Sequence, residues 1–195
     1  MEIGRLLTAM ITPFDENGEV NYEMAAKLAK AIIDSGSDGL VIGGTTGEAP
    51  TISDEEKLKL FSVVKESIGP DHALIAGTTN NNTKESVKLS KLAESTEVDG
   101  LLLTVPSYNK PTQDGLYKHF KSISEEVSIP CILYNVPSRT SLNMTDETTI
   151  KLSKLKNIVG IKEASSDLDQ ITKIISNTSN DFKVWSGNDN ETLYI

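Results

Sequence analysis

Residues 39–69 read GLVIGGTTGEAPTISDEEKLKLFSVVKESIG: a short apolar run from Gly39 to Gly43, a turn rich in glycine and threonine, then an amphipathic stretch. Ser53 and Glu56 have the S-x-x-E spacing of a capping box, ahead of Leu58, Phe61, Val64 and Ile68 on one helical face. The stretch is a strand-turn-helix unit, and its unbroken apolar run suits a strand buried on both faces. The unit recurs in both directions. Apolar runs at Leu6 to Thr12, Ala73 to Gly77, Gly100 to Val105, Cys131 to Val136, Ile158 to Glu163 and Lys183 to Ser186 bring the expected strands to seven. Between them, Asn21 caps a helix with Met24, Leu28, Ala31 and Ile32 on its inner face, and Thr83 to Thr96 forms a helix with Val87, Leu89 and Leu92 inward. Leu116, Phe120, Ile123 and Val127 mark another, Thr145 with Asp146 is a further cap, and Asp167 caps a helix bearing Ile171, Ile174 and Ile175.

Repetition of this unit roughly every 24 to 34 residues, without sequence similarity between copies, favours a TIM (β/α)8 barrel over an open doubly wound sheet. A full barrel usually takes about 250 residues. These 195 residues reach a seventh strand and begin a helix at Asn190. The expectation is therefore one α/β barrel domain over residues 1–195, truncated after the seventh strand and without the eighth βα unit. An open barrel leaves strand edges and apolar surface facing water, so such a form is expected to be unstable or to aggregate unless that edge is covered.

Composition narrows the partners. Lys and Arg total 19 against 28 Asp and Glu, a net charge of -9, which disfavours nucleic-acid phosphates and anionic membranes. The single cysteine, Cys131, has no intramolecular disulfide partner, and His72 and His119 lie far apart without a metal-ligand motif. Neither a signal peptide nor a run of about 20 apolar residues is present, so the expected compartment is the cytoplasm.

In a barrel, chemistry belongs at the carboxyl ends of the strands. Lys162 lies inside the apolar run Ile158 to Ala164, where alternation puts Gly160 and Lys162 on one face and Val159 and Ile161 on the other. Burial lowers an ammonium pKa and yields a neutral amine able to attack a carbonyl. Gly43 to Glu48 follows a strand directly, and its glycine amides with Thr45 and Thr46 suit a carboxylate and a proton relay. Tyr134 ends a strand where its phenol can relay protons, and Arg139 on the next loop can clamp a carboxylate. Tyr108 sits on a proline-punctuated loop, Val105 to Pro111, where it can enter a site or a subunit contact. Each residue taken singly also has an ordinary reading: a snorkelling lysine, a glycine-rich turn, a core tyrosine, a surface arginine. Together they describe a Schiff-base enzyme that processes carbonyl compounds with acidic groups.

The segments GTTGEAPT (Gly44 to Thr51), IAGT (Ile75 to Thr78), YNKPTQDGLYKHF (Tyr108 to Phe120), YNVPSRT (Tyr134 to Thr140) and GIKEAS (Gly160 to Ser165) closely resemble the dihydrodipicolinate synthase family. The resemblance implies a pyruvate-dependent class I aldolase or lyase on a TIM barrel, which condenses pyruvate with L-aspartate 4-semialdehyde in lysine and diaminopimelate biosynthesis. It implies that Lys162 forms the Schiff base with pyruvate, and that Thr45 and Thr46 hold its carboxylate and share a proton relay with Tyr134 and Tyr108. Tyr108 is then the residue that reaches a neighbouring subunit's site, so a homo-oligomer, a dimer or a tetramer built from dimers, is expected. Arg139 grips the semialdehyde carboxylate, Gly187 and Asn188 line the second-substrate pocket, and no metal or organic cofactor is required.

Two further departures accompany the short length. Ser107 stands where the family usually has the first of two tyrosines, and Asp54 and Lys57 stand where lysine-inhibited members carry histidines, although Asn81 and Glu85 are kept. Weak or absent lysine feedback is expected. Two other readings share these motifs: another pyruvate lyase, of the N-acetylneuraminate lyase or keto-deoxy sugar acid aldolase type, and a non-catalytic fragment acting through subunit association.

Overall fold

A computed structural model describes residues 3–194. They fall into two compact units, one running up to Thr78 and including Lys91–Leu102, the other formed by Thr79–Ser90 and the chain from Leu103 onward.

The first unit holds β1 (Leu7–Ala9), α1 (Tyr22–Asp34), β2 (Gly39–Ile42), α2 (Asp54–Ile68), β3 (Ala73–Gly77) and the start of β4 (Gly100–Thr104). The strands are parallel, with Leu7 opposite Gly39, Gly39 opposite Ala73, and Ile75 opposite Gly100. Helix α3 (Thr83–Glu94) starts in the second unit and ends in the first. The second unit continues with α4 (Gln113–Ser124), β5 (Cys131–Asn135), a one-turn helix α5 (Pro137–Thr140), α6 (Asp146–Leu152), β6 (Ile158–Glu163), α7 (Leu168–Asn177) and β7 (Lys183–Ser186). There β5, β6 and β7 pair in parallel, Cys131 with Ile158 and Gly160 with Lys183. The order strand, turn, helix is that of a (β/α) barrel, in seven described strands.

The caps read from the sequence are formed. Asn21 accepts a bond from Met24 N at 2.9 Å, Ser53 and Glu56 make the reciprocal capping box, and Thr145 and Asp167 accept from Thr148 N and Gln170 N. Strands β3, β6 and β7 keep their expected bounds; the others end one residue early, and β1 shrinks to three residues. Between β5 and β6 the register shifts after Cys131.

Three helical faces differ from expectation. Helix α1 buries Ala25 and Ala29, while Met24 and Ala31 are exposed, because small side chains let it approach α2 and β2 closely. Helix α3 buries Ser86, Leu89, Ser90 and Ala93 and exposes Leu92; Ser86 meets its polarity inside by bonding Asn80 O and Asn82 O. Ile175 of α7 is exposed, leaving Ile171 and Ile174 as its inner face. Helix α4 buries its expected Leu116, Phe120 and Ile123, with Val127 just beyond it. After β7 the expected helix from Asn190 is a 3₁₀ turn over Asp189–Tyr194. No helix among the described residues is long and apolar enough to cross a membrane.

Candidate active site

In the second unit, Tyr134 on β5, Lys162 on β6 and Trp185 on β7 are register partners, so their side chains leave the sheet on the same face. Lys162 Nζ stands 4.6 Å from the centroid of the Tyr134 ring. Tyr134 is buried and Lys162 half-buried. Removal from water pushes the Lys162 ammonium below its ordinary value of 10.5, and the Asp189 carboxylate opposes the shift. The result is an amine that is more readily neutral, held against an aromatic face.

The turn after β7 closes this side. Gly187 N donates to Glu163 O at 2.7 Å, and a side chain at Gly187 would put a Cβ 2.8 Å from Ala164 Cβ and 3.3 Å from Lys162 Cε. Glycine keeps the space beside the amine open. Asn188 Nδ2 donates to Ser166 Oγ at 3.2 Å and to Glu191 Oε2 at 3.0 Å, and Asn188 O accepts from Ser186 Oγ at 2.8 Å, which fixes the turn.

Lys162, Tyr134 and Gly187 are thus brought together. Arg139 lies exposed on α5, a helix the sequence reading placed in a loop; Pro137 at its first position and a left-handed Ser141 at its end confine it to one turn. Tyr108 is 90% exposed, with φ of 74°, on the loop after β4. At that exposure the phenol packs against none of the unit's own core.

In the first unit, Thr45 and Thr46 are exposed at the carboxyl end of β2. Their turn is built by Ala49 N donating to Gly44 O (3.2 Å), Glu48 N to Thr45 O (3.1 Å) and Thr12 Oγ1 to Gly47 O (2.6 Å). Gly43 has φ of 62°, and a Cβ there would fall 3.1 Å from Phe61 Cε1; a Cβ on Gly77 would strike Gly43 O. The two backbones pass too closely for any other residue.

Sequence reasoning did not single out what lies behind Lys162. Asn135, Glu163 and Ser186 are register partners one position further on, and face the opposite way. Glu163 is fully buried. Its Oε1 accepts from Asn135 Nδ2 (3.0 Å) and Ser165 N (2.9 Å), and its Oε2 from Gln170 Nε2 (3.2 Å). Burial pushes its pKa up and these donors pull it back. The available signal was polar residues at equivalent positions of two apolar strands, Asn135 and Glu163, with Gln170 in the first turn of the next helix.

Comparison with known proteins gives one answer. The profile of the dihydrodipicolinate synthetase family matches residues 2–195. A 4-hydroxy-tetrahydrodipicolinate synthase of Dehalococcoides mccartyi is 57% identical over 192 residues, which are 98% of this chain and 65% of that protein. The chain thus spans about two thirds of that relative's length. The crystal structure of a dihydrodipicolinate synthase from Bacillus anthracis aligns with a TM-score of 0.97 at 44% identity, over 100% of this chain and 66% of the other. A synthase from Acinetobacter baumannii, complexed with pyruvate, aligns with a TM-score of 0.95 at 38% identity, over 99% of this chain and 66% of the other.

Proposed function

The chain belongs to the dihydrodipicolinate synthetase family, and from that premise we propose that it carries the chemistry of 4-hydroxy-tetrahydrodipicolinate synthase, condensing pyruvate with L-aspartate 4-semialdehyde. The observation that carries this reading is the half-buried Lys162 amine over the Tyr134 ring, its pKa lowered by burial.

Neutral Lys162 Nζ attacks the C2 ketone of pyruvate; the carbinolamine loses water and leaves a protonated Schiff base. The iminium draws electrons from the neighbouring methyl carbon, which loses a proton and becomes an enamine nucleophile. That carbon attacks the aldehyde, forming the new carbon-carbon bond, and the aldehyde oxygen takes up a proton; the amino group of the semialdehyde then attacks the iminium carbon, closes a ring and expels Lys162 as the free amine. Tyr134, with Thr45 and Tyr108, carries these protons, and Thr46 with the glycine-rich turn binds the pyruvate carboxylate. Arg139 grips the carboxylate of the semialdehyde with two parallel bonds, and the turn at Gly187 and Asn188 bounds the second substrate. The iminium serves as the electron sink, so the reaction calls for no metal or organic cofactor. In this reading exposed Tyr108 serves a second subunit, and the working form is a homo-oligomer in the cytoplasm. The names of the relatives favour the synthase over other pyruvate lyases.

The test is mass measurement after incubation with pyruvate and borohydride, which reduces a Schiff base to a stable adduct. An adduct on Lys162 is expected. A folded sample that yields none sinks the proposal and favours the non-catalytic reading.

A further inference from the structure

Glu163 is buried deeper than any function assigned so far requires. It lies one residue from Lys162 and on the other face of β6, in a dense polar cluster. Its carboxylate collects donors from three directions: β5 through Asn135, α7 through Gln170, and the following turn through Ser165 N. The amides are oriented by their other partners. Met144 N donates to Asn135 Oδ1 at 3.0 Å, which turns Asn135 Nδ2 toward Glu163 and toward Asn143 Oδ1 (2.7 Å). Asn143 Nδ2 donates to Gln170 Oε1 at 2.8 Å, which turns Gln170 Nε2 toward Glu163 and Met144 O. Gln113 of α4 extends the cluster, donating to Asn143 O and accepting from Thr145 N and Thr148 Oγ1.

Asn135, Gln170 and Ser165 N each send a hydrogen to the carboxylate, and an amide at that position would offer an N–H where an acceptor is needed. The cluster ties β5 to β6 at Asn135 and Glu163, the register step next to Tyr134 and Lys162. A slip or tilt of one strand against the other would move the amine off the ring. We propose that Glu163 is a positioning residue: by gathering Asn135, Ser165 and Gln170 it locks the ends of β5 and β6 and so holds Lys162 over Tyr134. The catalytic part of this inference rests on the Schiff-base reading above, whereas the placement of Lys162 does not.

The experiment reads placement directly. Lysines are reductively methylated with labelled formaldehyde, and the Lys162 methyl signal is assigned by its loss in Lys162→Arg. In the parent protein the face of the Tyr134 ring shifts that signal upfield of the exposed lysines. Glu163→Gln is expected to return it toward the exposed value, and to slow pyruvate trapping on the order of 10-fold to 100-fold, as misplacement of a reacting group does. Ile171→Val, a buried change in α7 outside the cluster, serves as the stability control and should move neither. Gln170→Met removes a single donor and gives a smaller shift, keeping the test open if Glu163→Gln does not fold. A Lys162 signal unchanged in a folded Glu163→Gln or Gln170→Met protein overturns the inference. Failure of the parent protein to trap pyruvate would overturn the Schiff-base reading alone, because the methyl signal still decides placement.

Discussion

Lys162 and Tyr134 are register partners on neighbouring parallel strands, with the amine 4.6 Å from the ring centroid. Because burial lowers the Lys162 pKa, a larger fraction is neutral at a given pH than for an exposed lysine. The rate of pyruvate trapping should rise with pH and level off below the ordinary lysine value of 10.5. A midpoint at or above that value would contradict the placement. Tyr134→Phe keeps the ring and removes the hydroxyl; adduct formation should survive while complete turnover falls by about 10²–10⁴-fold.

Holding that amine has a cost in stability. Between its lowered folded pKa and 10.5 the unfolded chain binds more protons at Lys162, so stability rises with pH through that window; below it the penalty is present in full. Lys162→Met at neutral pH should therefore stabilise the fold, by about 1 kcal/mol, while abolishing trapping. Denaturant titration of the two proteins checks this, and a destabilised variant would show that the amine is well solvated.

His119 supplies an acid limb. It is buried, its Nδ1 lies 2.8 Å from Thr83 Oγ1, and burial pushes its pKa down from 6.5 to about 4. Between those values the unfolded state binds the extra proton, so stability is lost as pH falls from 6.5 to 4, by roughly 3 kcal/mol at most. Glu163 has a raised pKa and works in the opposite sense, losing stability as pH rises above 4.5. His119→Phe should flatten the acid limb seen in pH-dependent melting. An identical pH profile in both proteins would place the titration elsewhere.

Gly187 tests the crowding beside the amine. In Gly187→Ala the new methyl would meet Ala164 Cβ at 2.8 Å and Glu163 O at 3.2 Å, a clash expected to cost about 1–3 kcal/mol. Relief by moving the turn would crowd Lys162 Cε, so trapping should slow as well. Melting and adduct mass together separate the two effects; unimpaired trapping would show that the turn yields away from Lys162.

The strands were legible because their ends are punctuated: β6 stops at Glu163 and β7 at Ser186, as apolar runs meeting polar residues should. The inner face of α1 was misread for a physical reason. Apolar periodicity weighs large side chains, yet the line of closest approach belongs to Ala25 and Ala29, whose small size permits it. Serine misled in the same way on α3, since Ser86 satisfies its hydroxyl within its own turn and can be buried. The four residues of α5 are too short for any period. Lys162 was legible from alternation and Tyr134 from its place at a strand end, whereas their pairing across β5 and β6 and the cluster around Glu163 rest on tertiary partners, Asn143 and Gln170 among them, that no local pattern announces.

The cluster behind β6 also has a direction. Three of its links are N–H groups, from Asn135, Gln170 and the Ser165 backbone, and all of them end on the one carboxylate. Protonating that carboxyl weakens all three at once. The seam between β5 and β6 beside Lys162 therefore has a single point at which it can be loosened.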